Sequence, residues 1–533
     1  MNAHRLRAPF GDGALLADPP LGAVGAHLAE NLDRLSRWDH DFQGRRVRWL
    51  RPLARRQALE KARGYLGRSG LDVPILPDAS APLVIAGHQP ELYHPGVWVK
   101  NFATAAIAQA RGGAGLNLIV DNDLAKLPAI RVPRLHDGGI QIQHVAYDEW
   151  GGDVPYEDLD VRNESFFATF DDRVRRMLAG AVADPMIEDY WPLVLRHREG
   201  DPRLGLRLAR ARRELEASWG VRNFEVPLGD LCENEAFLWF VAHLLAQLPR
   251  FQKVHNDALS RYRALYGIRS KNHPVAALRR EGDWREAPFW IWRAEAPRRR
   301  SLWVRQLART MELRIGSDGE PLMDLPLAPD REACCAVERL LTLPARRIRL
   351  RTRALTTTMF ARLLLGDLFL HGIGGAKYDE LGDEIVREFF GIEPPDFLTL
   401  SITLWLDLGI DRSATPERLH AVEHALRDLT FNPDRHLPDP EAPEARAWVE
   451  VKRHAIAGPA GTRRERRARH DTIRRCNEAL QSLVLGRREC LDRVRAQILA
   501  GMRRNAVARN REYAFVLHSR LRLREAMARV QGG

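Results

Sequence analysis

The chain has 533 residues, of which 45% are hydrophobic and 29% charged, and it carries a formal charge of +12. That much apolar surface excludes a disordered or fibrous chain, and the length predicts two to four structural units or one large core with appendages. The charge is concentrated: fifteen arginines against five acids lie between Arg463 and Arg511. The whole chain has seven lysines, so the basic excess is an arginine bias that follows codon composition more simply than phosphate binding, and nucleic acid is disfavoured as a partner. The five cysteines form no CxxC pair and no even framework, which argues against a zinc ribbon or disulfide scaffold and fits a reducing cytoplasm. The N-terminus has no apolar signal region and no apolar stretch is long enough to span a bilayer, so a cytoplasmic location without membrane insertion is expected.

In chain order, residues 1–80 alternate apolar and charged positions at helical spacing and are expected to form a helical lead-in packed on the core. The run Pro82-Leu-Val-Ile-Ala-Gly87 reads as a buried strand, Val97 to Ala110 as a helix, and Leu116-Asn-Leu-Ile-Val-Asp121 as a second buried strand. Strand, helix and strand within about forty residues make a right-handed crossover unit, so an α/β fold with a Rossmann-like open parallel sheet is expected over residues 81–460. Gly139 to Val145 alternates as a third strand. A mostly helical insertion is expected at about 163–268, interrupted by a strand at Asn223 to Val226. Short strands are expected at Phe289–Trp292, Leu302–Val304, Met311–Ile315 and Arg346–Arg351. Helix, strand, glycine turn and helix then run from Ala354 to Phe390. Residues 461–512 contain no proline and space their apolar residues by three and four, which predicts a long helical, coiled-coil-like arm. A homodimer through that arm is expected because its stripe would otherwise be exposed. Residues 513–533 are expected to return to the core as a strand, Tyr513 to Leu517, and a helix.

Three segments carry candidate chemistry. The first, Gly87-His-Gln-Pro-Glu-Leu-Tyr-His-Pro-Gly96, follows a strand's carboxyl end, where open α/β sheets bind ligands. Gly87 and Gly96 would allow close approach of a ligand, the helix start after Pro95 would offer amides to an anion, and His88 and His94 titrate near neutrality. Gln89, Lys100 and Asn101 lie on the same segment. The alternative is a tight connection whose histidines cap a helix. The second, Asp121-Asn-Asp-Leu-Ala-Lys126, would sit beside it, with Asp121 and Asp123 able to orient a histidine, bind a metal or act as base; a solvated turn reads equally well, and no metal requirement follows. The third, His371-Gly-Ile-Gly-Gly-Ala-Lys-Tyr378, places Gly372, Gly374 and Gly375 before a helix as an oxyanion or phosphate cradle, although it matches neither the P-loop nor the dinucleotide fingerprint. Lys100, Lys126 and Lys377 are three of the seven lysines, a placement that points to a compact ammonium for phosphate or carboxylate. Cys334-Cys335, beside Ala333 and Val337, reads as buried packing rather than nucleophile.

Taken together, Gly87-His-Gln to Asn101, Ile119-Val-Asp-Asn-Asp123, and the order of elements from Arg346 through Gly372-Ile-Gly-Gly375 and Phe390-Gly-Ile-Glu-Pro-Pro395 to the Ser401 strand resemble bacillithiol synthase, the cysteine-adding enzyme of bacillithiol biosynthesis. The family turn reads Gly-Gly-Pro-Gly-Glu followed by a tyrosine; here Lys377 replaces the acid and His371 precedes the glycines. The resemblance implies a ligase-like enzyme with a Rossmann-like core and coiled-coil arm. It would join cysteine or a similar amine or thiol to an acidic or sugar-containing acceptor, with ATP or ADP as candidate nucleotide. The residues alone imply a pocket with catalytic His88, His94, Asp121 and Asp123, and with Gly87, Gln89, Lys100, Asn101, Lys126, His371, Gly372, Gly374, Gly375, Lys377 and Tyr378 binding a small anionic substrate. A nucleotidyltransferase-like enzyme and a non-catalytic coiled-coil scaffold are the alternatives.

Overall fold

The structure, a computed structural model, describes residues 6–136, 139–178, 180–269 and 275–531. The chain divides into two units, one of residues 1–132, 143–406 and 511–533 and one of residues 133–142 and 407–510. The fold is mixed α/β with parallel strands and a long helical segment toward the C-terminus.

The larger unit is organised by a six-stranded sheet of β1 (Leu15–Asp18), β2 (Leu83–His88), β3 (Ala114–Ile119), β6 (Phe224–Pro227), β13 (Leu368–His371) and β14 (Phe397–Ile402), in the spatial order β1-β14-β13-β2-β3-β6. β14, β13, β2, β3 and β6 run parallel, and β1 pairs antiparallel with β14. The chain therefore builds outward from β2 through β3 to β6, then returns to the other side of β2 with β13 and β14. The crossover expected between β2 and β3 is present, carried by the helix Pro95–Ala110. Both strands are apolar and buried on both faces, as a sheet covered by helices requires. Proline at the first helical position and His94, whose Nδ1 accepts from the Gly96 amide at 3.1 Å, fix the helix start. Trp98 and Phe102 of this helix pack on Trp219.

Several strands lie elsewhere than in a single sheet. β4 (Ala129–His136) and β5 (Gly139–Ala146) pair only with each other. β8 (Trp284–Arg293), β9 (Ala296–Gln306), β10 (Met311–Ile315), β11 (Pro321–Leu325) and β12 (Ile348–Thr352) form a second, antiparallel sheet in the order β11-β10-β9-β8-β12, and the short β7 (Arg280–Glu281) pairs with β8. Their alternating polar and apolar residues suit a sheet with one face packed and one nearer water. Residues 513–517 are not a strand: Phe515–Leu517 is a single 3-10 turn, buried with Tyr513 and Ala514.

In the smaller unit the arm consists of the helices Arg463–Leu480 and Leu485–Ala508, joined by a 3-10 turn at Gln481–Val484. Leu480 and Val484 pack with Leu429, Ala445 and Val449, and Ile498 packs with Ala414, Val422 and Leu426. The helices Pro416–Phe431 and Pro443–Ala457 thus cover much of the stripe, which removes the argument that the stripe requires a second chain. Besides residues 133–142, the unit takes in residues 407–460 together with the arm, which has its core in these two preceding helices.

Candidate functional site

A cavity of about 300 Å³ opens where the segments after β2, β3 and β12 converge. Gln89 follows β2 and Val120, Asn122 and Asp123 follow β3, so the cavity lies at the carboxyl ends of parallel strands. Thr352 to Thr357 form a second wall, Trp290 and Arg299 a third, and Phe251, His255 and Leu278 a fourth.

The polar side of the cavity is tightly bonded. Asp123 accepts from Gln89 Nε2 at 2.9 Å and from Arg299 Nη1 at 2.8 Å. Arg299 and Arg353 both lie against the indole of Trp290, at 5.0 and 4.2 Å from the ring centroid. Arg353 Nη2 donates to Glu286 at 2.7 Å, while its Nε is buried without a hydrogen-bond partner. Burial lowers the pKa of both guanidiniums, with Glu286 and Asp123 acting to raise them. Asn122 Nδ2 donates to the Thr352 carbonyl at 3.0 Å, and Thr352 Oγ1 lies 2.6 Å from Thr357 Oγ1. His255 is held at about 4 by burial, which keeps its imidazole neutral at physiological pH. Such a wall can bind a small anion through charge-assisted hydrogen bonds and seat an uncharged portion against Phe251, Leu278 and Met359.

Of the residues singled out from sequence, Gln89 and Asp123 line this cavity. His88 turns away from it and is buried: its Nε2 lies 3.1 Å from Asn101 Oδ1 and its ring packs on Tyr93. Asn101 Nδ2 donates to Glu216 at 2.7 Å, and Arg212 joins Glu216 to Glu225. Burial and the Arg212 charge hold His88 well below its usual range, so it is a neutral member of a buried polar network. Asp121 belongs to a different network. Its Oδ1 accepts from the Gly229 amide at 2.9 Å, and burial with the neighbouring Glu157 pushes its carboxyl up to about 8. Glu157 is itself bound by Arg351 at 2.8 Å. Adjacent strand ends thus send His88 and Asp121 into separate clusters because one side chain faces the helix Pro95–Ala110 and the other the helix Leu228–Leu231.

His94 is engaged as a helix cap and is lowered to about 4 by burial. Lys100 is buried, donates to the Gly87 carbonyl at 3.1 Å, and is lowered to about 8 by burial. Lys126 is exposed and pairs with Glu91. The glycines answer to protein neighbours rather than to a ligand. A Cβ on Gly87 would come 3.2 Å from that of Leu118, and one on Gly96 would come 2.5 Å from the Ile402 carbonyl oxygen.

The third segment is not a turn. Gly372 caps the helix Ile373–Ile385 with φ −81°, and Gly374 and Gly375 lie in its first turn, exposed. His371 is buried, with Nε2 2.7 Å from Asp379 Oδ2 and its ring between Phe369 and Phe397. Arg362 and Thr358 complete the bonding of Asp379. Burial alone would raise that carboxyl; Arg362 and His371 outweigh it and hold it well below the usual range. Lys377 is exposed, and Tyr378 is half-buried against the core.

Sequence reasoning missed Trp290, Arg299, Arg353 and His255. The signal was absent: they sit on two strands, a helix and a strand-to-helix connection of an arginine-rich chain, with no motif spacing between them. Among the described residues, one group of potential metal ligands, His27, Glu30 and Asp396, has its donor atoms within 4.8 Å of one another, away from the cavity lining. Cys334 and Cys335 are exposed rather than packed, since the apolar face of their helix is carried by Ala336, Val337 and Leu340. The sequence matches no family model, and no curated protein matches it either.

Proposed function

We propose that this chain is a ligase-like enzyme that binds a small anionic substrate in the cavity beyond β2 and β3, and that it joins cysteine or a similar amine or thiol to an acidic or sugar-containing acceptor. The observation that carries the binding half is the Arg299–Trp290–Arg353 wall lining a cavity of about 300 Å³. That volume is at the lower end of ordinary ligand pockets, about 300–1,000 Å³, which suits a small metabolite. The reaction half rests on the resemblance to bacillithiol synthase. In this reading Arg299 and Arg353 orient an acceptor carboxylate, and Asp123 is the cavity's acceptor for a proton from the incoming nucleophile.

A nucleotide-dependent reaction is the second reading. It draws on the strand order: counted along the chain, the parallel strands stand 5-4-1-2-3 across the sheet, a Rossmann-like arrangement whose direction reverses between β2 and β13. Calorimetric titration of malate, citrate, cysteine, ATP and ADP into the wild type and Arg353→Gln separates the two readings. Tight binding of a carboxylate that the variant loses supports the first, binding of nucleotide alone supports the second, and silence from every compound removes both. Metabolite profiling of a strain lacking the protein should show loss of a low-molecular-weight thiol; an unchanged thiol pool overturns the ligation step while leaving the binding site standing.

A further inference from the structure

Cys334 and Cys335 occupy the first two positions of the helix Cys334–Leu341, both exposed, with their sulfurs 3.8 Å apart. In an extended strand adjacent side chains would point to opposite faces, and on a helix they diverge by about 100°. Here the two thiols nonetheless converge on one patch of surface.

We propose that Cys334 and Cys335 form a bidentate dithiol site for a soft, thiophilic centre, specifically a trivalent arsenical. The 3.8 Å separation lies within the reach of one atom bonded to both sulfurs at about 2.3 Å, whose span cannot exceed roughly 4.6 Å, so with a small adjustment one atom can bridge both sulfurs. Zinc would need two further protein ligands. Among the described residues, the only grouped metal donors are His27, Glu30 and Asp396, which include neither cysteine. A trivalent arsenic centre needs just the two sulfurs, because its third substituent is its own. Binding is a condensation without electron transfer: two S–H bonds and two As–OH bonds break, two As–S bonds form, and two waters leave.

Position in the helix lowers the conformational cost. The amides of the first turn make no intrahelical hydrogen bond, and Ala333 provides no side-chain cap, so a small adjustment at Cys334 and Cys335 disturbs fewer bonds than one in mid-helix. An intramolecular disulfide between the same residues is a poorer product, because its fixed torsion near 90° demands a local geometry the helix does not offer. Neither cysteine lines the cavity, so the site is independent of the proposed substrate. The hydrogen bond between the two thiols is the largest influence on Cys335 and raises its pKa, as expected where Cys335 donates its S–H to Cys334.

The test uses the full chain and phenylarsine oxide, read by intact-mass spectrometry. The wild type should gain a single phenylarsenic adduct that survives a large excess of 2-mercaptoethanol and is removed by ethanedithiol. Cys334→Ser and Cys335→Ser, both at exposed positions, should each lose it, whereas Cys490→Ser should keep it. An adduct retained by either of the first two variants, one stripped from the wild type by the monothiol, or none in the wild type overturns the site.

Discussion

The guanidinium of Arg353, a residue that lines the cavity, lies 4.2 Å over the Trp290 ring while its Nη2 binds Glu286. Through its other N–H groups the guanidinium can give an anion entering the cavity a charge-assisted hydrogen bond, about 1.5–3 kcal/mol. Arg353→Gln should therefore weaken binding of the cavity's anionic ligand by about one to two decades, with Arg299→Gln smaller because Asp123 already engages that side chain. Calorimetry on both variants checks the order; an equal or reversed ranking removes Arg353 as the principal anchor.

Ligand entry should also be visible optically. Trp290 lies against two cations whose positions a bound anion would alter, so its emission should change on titration. Trp290→Phe should abolish that change while preserving most of the affinity. A signal unchanged in the variant would place the responding indole elsewhere.

The buried carboxyl of Asp121 gives a pH dependence of definite sign. Its folded pKa, about 8, lies above the ordinary carboxylate value, so the native state holds a proton that the unfolded chain has released. The stabilising contribution is full below about pH 4 and is lost as pH rises toward 8. Asp121→Asn keeps an oxygen for the Gly229 amide and removes the titration. Denaturant midpoints at pH 5 and pH 8 should show the variant losing less stability than the wild type over that interval.

On the acid side, the His40 and His243 rings meet with Nε2 atoms 3.1 Å apart, and burial lowers them to about 4 and about 3. Both remain neutral in the fold while their unfolded counterparts protonate near 6.5. Stability should fall as pH drops from about 6.5 toward 4, and His243→Gln should flatten that part of the curve. Equal slopes in wild type and variant would assign the acid sensitivity to other groups.

In the smaller unit, a Cβ on Gly501 would come 2.6 Å from Ala414 Cβ and 2.7 Å from Asp411 Oδ2. Gly501→Val should overpack this contact and cost about 1–3 kcal/mol. Thermal melts that leave the variant unchanged would mean that the neighbouring helix segment gives way freely.

What the sequence determined by itself was local. Continuous apolar runs marked β2, β3 and β13 because a strand buried on both faces has no polar side to show, and helical spacing marked Pro95–Ala110 and the arm. Gln89 and Asp123 were legible as site residues because the end of a parallel strand is a recurrent ligand position. Tertiary structure decided the rest. Whether His88, Asp121 or His371 faces a cavity depends on which side of a strand end the next helix covers, and in each case a buried partner, Asn101, Gly229 or Asp379, captured the side chain. The cavity itself joins Gln89 and Asp123 to Trp290, Arg299 and Arg353 across more than 160 intervening residues. Only the tertiary contacts of Asn122 with Thr352 and of Asp123 with Arg299 bring them together, and no spacing along the chain encodes them.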